Sequence, residues 1–383
     1  MLLLTQCAVC ATELGLTLGK KCGRCSTRYC GPACQEQHWK ERGHDELCNK
    51  IKKAGGAEKY HADEKLKEAV AAAVEKCADD TKGQTCYICT QALHWKTKEG
   101  LVRMCACRGT AGFAHVSCLA EQAKILVAEA EENNLGAKVK TERFQRWDTC
   151  SLCEQHYHGV VRCALGWACW KSYVGRPDAD GARRFAMSLL GNGLSAAFHH
   201  HDALGVKEAD LAMRRRLGDP ENNILAVQSN LAITYEELGR LEPALRLKRD
   251  AYSGYVRLLG NEAYQTLLAA NNYANTLMDR QRFDEAKAVF RKEIPVAGRV
   301  YGDCNEITLR MKWNYARALY LNPGATLDNL REAVTTLEDL APNARRVFGG
   351  THPNSRGIEI FLVEARAALR GREETSESPS GSG

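Results

Sequence analysis

The sequence predicts a mainly α-helical protein in which two small cysteine-rich modules precede an α-solenoid of about four helix hairpins. Three observations support this fold class. Seventeen of the 18 cysteines fall within residues 1–169, a motif recurs every 42 residues in the second half, and 44% of the 383 residues are hydrophobic. That composition is ordinary for globular proteins, and no segment approaches the roughly 18 consecutive apolar residues of a membrane helix.

The placement of the cysteines indicates the cellular setting. The chain starts with Met1 to Leu4 and has neither a basic n-region nor a long apolar run, so we expect no signal peptide. We therefore expect a cytoplasmic or nuclear protein that is neither secreted nor membrane-spanning. In such a reducing compartment, clustered cysteines are metal ligands more often than disulfides. Closely spaced Cys and His pairs are typical of zinc, which prefers four tetrahedral ligands.

Residues 1–49 form the first cysteine-rich module. Its ligand pairs are Cys7 and Cys10, Cys22 and Cys25, Cys30 and Cys34, and His44 and Cys48. Eight ligands suffice for two tetrahedral zinc sites, with His38 as the competitor to His44. The spacing, together with Tyr29-Cys30, Cys34-Gln35 and His38-Trp39, resembles the MYND zinc finger.

This resemblance implies an interleaved ligand arrangement in the first module. One zinc would be held by Cys7, Cys10, Cys30 and Cys34, and the other by Cys22, Cys25, His44 and Cys48. His38 is then expected at the surface. The resemblance also implies a peptide-binding module, with zinc sites that lack an open, catalytic position. A helical linker is predicted over residues 50–84, with its helix at Lys65 to Cys77, which is rich in Ala, Glu and Lys.

Residues 85–158 form the second module, with a ligand series of four cysteines, one histidine and three cysteines. The series is Cys86, Cys89, Cys105, Cys107, His115, Cys118, Cys150 and Cys153. PHD fingers share this formula, but a single residue between the third and fourth ligands favours the RING-CH (RING-variant) domain, which this module resembles. The cross-braced resemblance implies two ligand sets. These are Cys86, Cys89, His115 and Cys118 for one zinc, and Cys105, Cys107, Cys150 and Cys153 for the other.

A RING-type domain implies a ubiquitin ligase without a nucleophile, because such domains act by holding a ubiquitin-charged E2 enzyme in a reactive geometry. The resemblance places Ile88 and Trp147 at the E2 contact, although either could instead pack the small domain. Glu154 departs from the family pattern, since many of these ligases carry a basic residue directly after the last ligand.

The second half contains an internal repeat. Gly218, Gly260 and Gly302 are 42 residues apart, and so are Asn230, Asn272 and Asn314. Each repeat reads as two helices that bury an apolar face against the neighbouring copies. Residues 185–370 resemble tetratricopeptide (TPR) repeats of the kinesin-light-chain kind, including Thr351-His352-Pro353 after the last glycine pair. The segment from residue 188 to residue 218 fits as a degenerate first copy, and residues 371–383 form a predicted disordered tail.

Two local features of the repeats lead to further expectations. Pro295 should kink or break its helix near Glu293. The three recurrent asparagines could bind the backbone of an extended peptide in a groove on the first helices, or they could bridge neighbouring repeats.

The formal charge of +6 invites a nucleic-acid hypothesis. Fourteen thiolate ligands and four Zn²⁺ ions would remove that excess and leave the loaded chain close to neutral. Neither cysteine pattern is of the zinc-finger type that places a recognition helix in the major groove of DNA. The basic run Arg214 to Arg216 is interpreted as a solvated face of a helix. Nucleic-acid binding is therefore disfavoured. The sixteen candidate ligands predict four zinc ions. The RING-CH resemblance implies an E2 enzyme and peptide or protein substrates as partners. The alternative is a non-enzymatic scaffold.

Overall fold

The computed structural model describes residues 6–12, 14–15, 18–348 and 353–377. The chain divides into two compact units, Met1–Asp219 and Pro220–Gly383. The segment predicted as a degenerate first repeat, residues 188–218, belongs to the first of these units. None of the helices in the described ranges is long and apolar enough to cross a membrane.

The first unit begins with a short antiparallel pair of strands that is followed by helices. Lys20 of the first strand pairs with Tyr29 of the second. The elements in chain order are β1 (Lys20–Lys21), β2 (Arg28–Tyr29), α1 (Pro32–Glu41), α2 (His44–Lys53), α3 (Ala57–Cys77), α4 (Val116–Glu132), α5 (Ala137–Phe144), α6 (Gly159–Tyr173), α7 (Gly181–Ala196) and α8 (His200–Leu217). A 3₁₀ turn over Gln145–Trp147 follows α5.

Helix α6 is the centre of the first unit. It is buried nearly all round, which is expected of a helix that is apolar on every face. It packs against α3, α4 and α7. Two glycines make the contact with α7 possible, because a Cβ on Gly193 would lie 2.8 Å from the carbonyl oxygen of Arg162, and one on Gly166 would lie 3.2 Å from that of Leu189.

Helix α3 contains the predicted linker helix but begins earlier, at Ala57. Its small side chains Ala62 and Ala73 are buried, and they contribute to the cores shared with α6. The segment is therefore part of the packed unit as well as a connection between the zinc modules.

The second unit is a solenoid of helix hairpins with the predicted TPR-like pattern. Its helices are α9 (Glu221–Glu237), α10 (Leu241–Leu259), α11 (Tyr264–Asp279), α12 (Phe283–Tyr301), α13 (Glu306–Tyr320), α14 (Leu327–Phe348) and α15 (Pro353–Glu377). Each helix packs against its sequence neighbour, and Leu267, Leu277, Phe290 and Ile307 are among the fully buried core residues. The predicted mainly α-helical fold, with zinc modules before a solenoid, is confirmed.

Two expectations for this unit differ from the structure. Of the predicted kink or break near Glu293, the break is wrong, since α12 continues through Pro295 to Tyr301. The tail predicted to be disordered from Gly371 is helical in its first part, because α15 extends to Glu377. Residues 378–383 lie outside the described residues. So do Thr351 and His352 of the predicted repeat ending and the glycine pair at positions 349 and 350.

Candidate metal centres

The structure brings the sixteen predicted ligand side chains into four groups of four. Within each group, the candidate ligand atoms all lie within 4.8 Å of one another. The groups are Cys7, Cys10, Cys30 and Cys34; Cys22, Cys25, His44 and Cys48; Cys86, Cys89, His115 and Cys118; and Cys105, Cys107, Cys150 and Cys153. These are the same four ligand sets that the MYND and RING-CH resemblances imply, interleaved in the first module and cross-braced in the second.

The first two groups assemble because short elements fold the chain back on itself. Helix α1 carries Cys34, and helix α2 carries His44 and Cys48. Tyr29 on β2 is buried in one core with ligands of both groups, and its hydroxyl lies 3.0 Å from Nδ1 of His38. His38 is half-buried there, and its ring centroid lies 4.6 Å from that of His44 with the two rings tilted by 33°. It therefore supports the ligand shell and is less exposed than predicted.

In the second module, isolated β-bridges and one helix position the ligands. The bridge between Val102 and Ala114 joins the segments on either side of the Cys105–Cys107 pair. His115 precedes the first turn of α4, and Cys118 lies within that turn. Nδ1 of His115 faces the sulfur ligands, while its Nε2 lies 3.3 Å from the carbonyl oxygen of Ala92. That second contact fixes the ring orientation, as hydrogen bonds to ligand histidines generally do.

The spacing of the ligand atoms fits tetrahedral zinc. A Zn–S bond of about 2.3 Å and a Zn–N bond of about 2.0 Å place two sulfur ligands about 3.8 Å apart, and sulfur and nitrogen about 3.5 Å apart. The observed distances are 3.5 Å for Cys10 and Cys30, 3.8 Å for Cys22 and Cys48, 3.6 Å for Cys118 Sγ and His115 Nδ1, and 3.7 Å for Cys107 and Cys150. All four groups are therefore compatible with zinc binding.

The electrostatics of the thiols also favour a divalent cation. A hydrogen bond with Thr12 lowers the pKa of Cys10 to about 6, whereas a hydrogen bond with Cys30 raises the pKa of Cys34 to about 12. One thiol of the group is thus easier to ionise than a free cysteine and another is harder, because closely spaced thiolates would repel one another. A cation removes that repulsion, and it allows the full ligand set to form.

The two predicted E2-contact residues have different environments. Ile88 is exposed, whereas Trp147 is completely buried and packs edge-on against Tyr173. The expectation that Trp147 meets an E2 is therefore wrong. Its indole belongs to the same core as Trp167 and Trp170 of α6, where it anchors the end of the zinc module to the helical part of the unit.

Sequence reasoning missed a second exposed apolar residue, on the ligand loop that adjoins the loop of Ile88. Leu152, in the last ligand loop, has 51% of its surface exposed. The hydroxyl groups of Tyr87 and Ser151 lie 3.0 Å apart, so the first and last ligand loops lie side by side. Ile88 and Leu152 each follow one of these hydroxyl residues in the sequence. Each is the second of two residues between a pair of cysteine ligands, and this shared position in the sequence could have indicated that Leu152 is equivalent to Ile88.

The three recurrent asparagines are not equivalent. Asn230 and Asn272 are half-buried, but Asn314 is only 5% exposed. Nδ2 of Asn314 donates a 2.9 Å hydrogen bond to Oδ1 of Asn271 on α11. The expectation that Asn314 lines a peptide groove is therefore wrong, because its amide bridges neighbouring repeats.

The basic run at the end of α8 has one buried member. Arg214 is 6% exposed and donates to Asp210 at 2.8 Å and to Asp219 at 3.0 Å. Ser188 of α7 also donates to Asp210. Arg214 is thus the centre of a buried ion network and is not part of a solvated face. Its positive charge is compensated by Asp210 and Asp219 within the protein.

Comparison with known families agrees with these three kinds of module. Residues 7–48 match the MYND finger, residues 86–153 match the RING-variant domain, and residues 224–262 match a tetratricopeptide repeat. The chain thus combines all three modules. The sequence matches none of the curated proteins with which we compared it.

Solved structures with similar repeats have low sequence identity. A kinesin-light-chain-like protein of Podosopora anserina with nearly identical TPR-like repeats is 17% identical, with a TM-score of 0.42, over 61% of this chain and 97% of its own. BtubC (BKLC) of P. vanneervenii is 14% identical, with a TM-score of 0.38, over 70% of this chain and 96% of its own. The modules and ligand groups together support a zinc-binding protein that interacts with other proteins.

Proposed function

We propose that this protein is a ubiquitin ligase of the RING-variant type, active in the cytoplasm or nucleus. The single observation that carries the proposal is the surface formed by Ile88 and Leu152 on two adjoining ligand loops. Exposed apolar side chains on rigid loops suit a partner surface, because little conformational entropy is lost on binding. In a RING-variant domain, that partner is a ubiquitin-charged E2.

Zinc, held by the sixteen Cys and His ligands, would supply structural rigidity to both modules. The protein's own residues then act by positioning. The Tyr87–Ser151 contact holds the two loops together, and the apolar pair docks the E2. The ubiquitin thioester is thereby kept in a reactive geometry without a nucleophile from this chain.

Substrate selection is assigned to the other two modules. The MYND finger and the solenoid are both peptide-binding kinds of module. On the first helices of the repeats, Asn230 and Asn272 remain candidates for contact with an extended peptide backbone. Both side chains are half-buried at equivalent positions, 42 residues apart.

An autoubiquitination assay over a panel of E2 enzymes tests the proposal. Wild-type protein should form ubiquitin chains with at least one E2, and Ile88→Ala should abolish them. Ile125→Ala provides a matched control, since Ile125 is an exposed isoleucine on α4 of the same unit. Products from the control but not from Ile88→Ala support the proposal. The ligase proposal fails if the zinc-loaded wild type yields no product with any E2.

A non-enzymatic scaffold is the second candidate, and one residue favours it. Glu154 is exposed directly after the last ligand, where many RING ligases carry a basic side chain that steadies ubiquitin. If the protein is a ligase, Glu154→Arg should increase chain formation. If it is a scaffold, Glu154→Arg should change nothing, and captured partners should show unaltered ubiquitination.

A further inference from the structure

We propose that the E2-binding surface extends from Ile88 and Leu152 to the loop at residues 92–98, where Trp95 is an anchor that selects among E2 enzymes. This inference rests on the proposed ligase function. Trp95 is 69% exposed and Leu93 is 59% exposed. Exposed tryptophans on ordered surfaces are among the commonest binding hot spots.

The loop is held rigidly although its apolar side chains face solvent. The backbone N–H of His94 donates to the carbonyl oxygen of Glu99 at 3.0 Å, and that of Lys98 donates to the carbonyl oxygen of His94 at 2.9 Å. The His94 side chain is buried, and its Nδ1 accepts the backbone N–H of Thr97 at 3.1 Å. The display of Leu93 and Trp95 is therefore preorganised, which reduces the entropic cost of binding.

The same loop is fastened to a candidate zinc ligand. The carbonyl oxygen of Ala92 lies 3.3 Å from Nε2 of His115, and the His94 ring packs edge-on against the His115 ring at 5.3 Å. Glu99 continues the connection, because its carboxylate accepts the backbone N–H and the hydroxyl of Ser117 at the start of α4. The loop thus shares its support with the ligand group that includes Cys86 and Cys89.

The distance from Ile88 allows one partner to cover both features. Trp95 is seven residues beyond Ile88, so their Cα atoms are separated by at most about 25 Å. A transient interface of about 600 Å² on each side is about 28 Å across. Such an interface, centred between these two residues, is therefore wide enough to contact Ile88, Leu93 and Trp95 together.

The charges on the loop define the kind of E2 that it would prefer. Lys96 and Lys98 are both exposed on this loop, while the carboxylate of Glu99 already accepts two hydrogen bonds from Ser117 at the start of α4. The complementary E2 surface is an apolar pocket for the indole, bordered by carboxylates. Complementary charge increases the association rate and discriminates between related partners.

The experiment measures ubiquitin transfer from several charged E2 enzymes to the full-length, zinc-loaded protein. Trp95→Ala should raise the KM for the preferred E2 by about 10-fold or more. Lys96→Glu should raise KM most for E2s with an acidic pocket rim, while Ile88→Ala abolishes transfer from every E2. Phe198→Ala is the matched control, since Phe198 is an exposed aromatic in the same unit. Native mass spectrometry should find the same zinc content in all variants.

The outcomes separate this inference from the proposed function. If wild-type protein is active and Trp95→Ala has the wild-type KM with every active E2, the extended surface is overturned and the ligase function stands. The same holds if Trp95→Ala reduces only transfer to a substrate, because the loop would then contact the substrate. If wild-type protein is inactive with every E2, the ligase function itself fails.

Discussion

The side-chain amides of Asn314 and Asn271 form a 2.9 Å hydrogen bond between α13 and α11. Both residues are buried, so water cannot replace a lost partner. The contact fixes the spacing of two successive first helices of the solenoid. It also explains why one of three asparagines at the same repeat position is structural.

Asn314→Ala should lower the free energy of unfolding of the repeats by about 1–3 kcal/mol, because the side-chain oxygen Oδ1 of Asn271 is left buried without its donor. Urea unfolding followed by far-UV circular dichroism measures the loss. Asn272→Ala is the control, and its change should stay within about 0.5 kcal/mol because Asn272 is only half-buried. Equal losses in both variants would contradict the structural role of Asn314.

Arg214→Ala should destabilise the first unit by about 3–5 kcal/mol, because it leaves the buried carboxylate of Asp210 without the Arg214 guanidinium, while Asp219 keeps its ion pair with Arg184. Arg215→Ala is the control, since the neighbouring Arg215 is exposed. Thermal unfolding of the two variants provides the comparison. A loss from Arg215→Ala as large as that from Arg214→Ala would show that the network is not responsible.

The effect of Arg214→Ala should also depend on pH. Burial raises the pKa of Asp210 in the folded protein, and removal of Arg214 raises it further. A carboxyl group with a raised folded-state pKa favours the native state at low pH, and it loses that contribution as the pH rises through this pKa. The variant should therefore be less destabilised at about pH 5 than at about pH 8. A pH-independent difference from wild type would argue against a buried Asp210.

The sequence predicted the ligand groups because metal ligation leaves a local signature. Each pair such as Cys86 and Cys89 already has the spacing of two ligands on one loop, and only the pairing of loops had to come from family resemblance. The 42-residue repeat could also be predicted, because each copy is a pair of helices joined by a turn whose residues lie close together in the sequence.

The errors concern residues whose environment is set by distant elements. The burial of Trp147 depends on α6, which packs behind it, and nothing in the Trp147 neighbourhood of the sequence indicates that contact. Asn314 is buried because its partner Asn271 lies 43 residues earlier, one position out of the repeat register.

Chelation of zinc should unfold the modules of the first unit while α9 to α15 remain helical, because the binding energy of structural zinc is folding energy. Trp147 lies close to Cys150 and is buried, so its fluorescence should shift to the red as zinc is removed. Native mass spectrometry should find four zinc ions before chelation and none afterwards. An unchanged near-UV dichroism spectrum after zinc removal would contradict this coupling. Trp147→Phe, which should reduce the fluorescence shift, identifies the reporting residue.

Pro295→Ala should stabilise the second unit. Pro295 is exposed inside a continuous α12, where it cannot donate the hydrogen bond that an interior residue normally gives to the carbonyl oxygen four positions earlier, here that of Arg291. Alanine restores that donor and favours the helix, partly offset by greater freedom of the unfolded chain, for a net gain of about 1–2 kcal/mol. The midpoint of urea unfolding measures the gain. Val300→Ala, at another exposed position of α12, controls for helix propensity alone and should have a smaller effect. A loss of stability in Pro295→Ala would mean that the proline is required for the path of the helix.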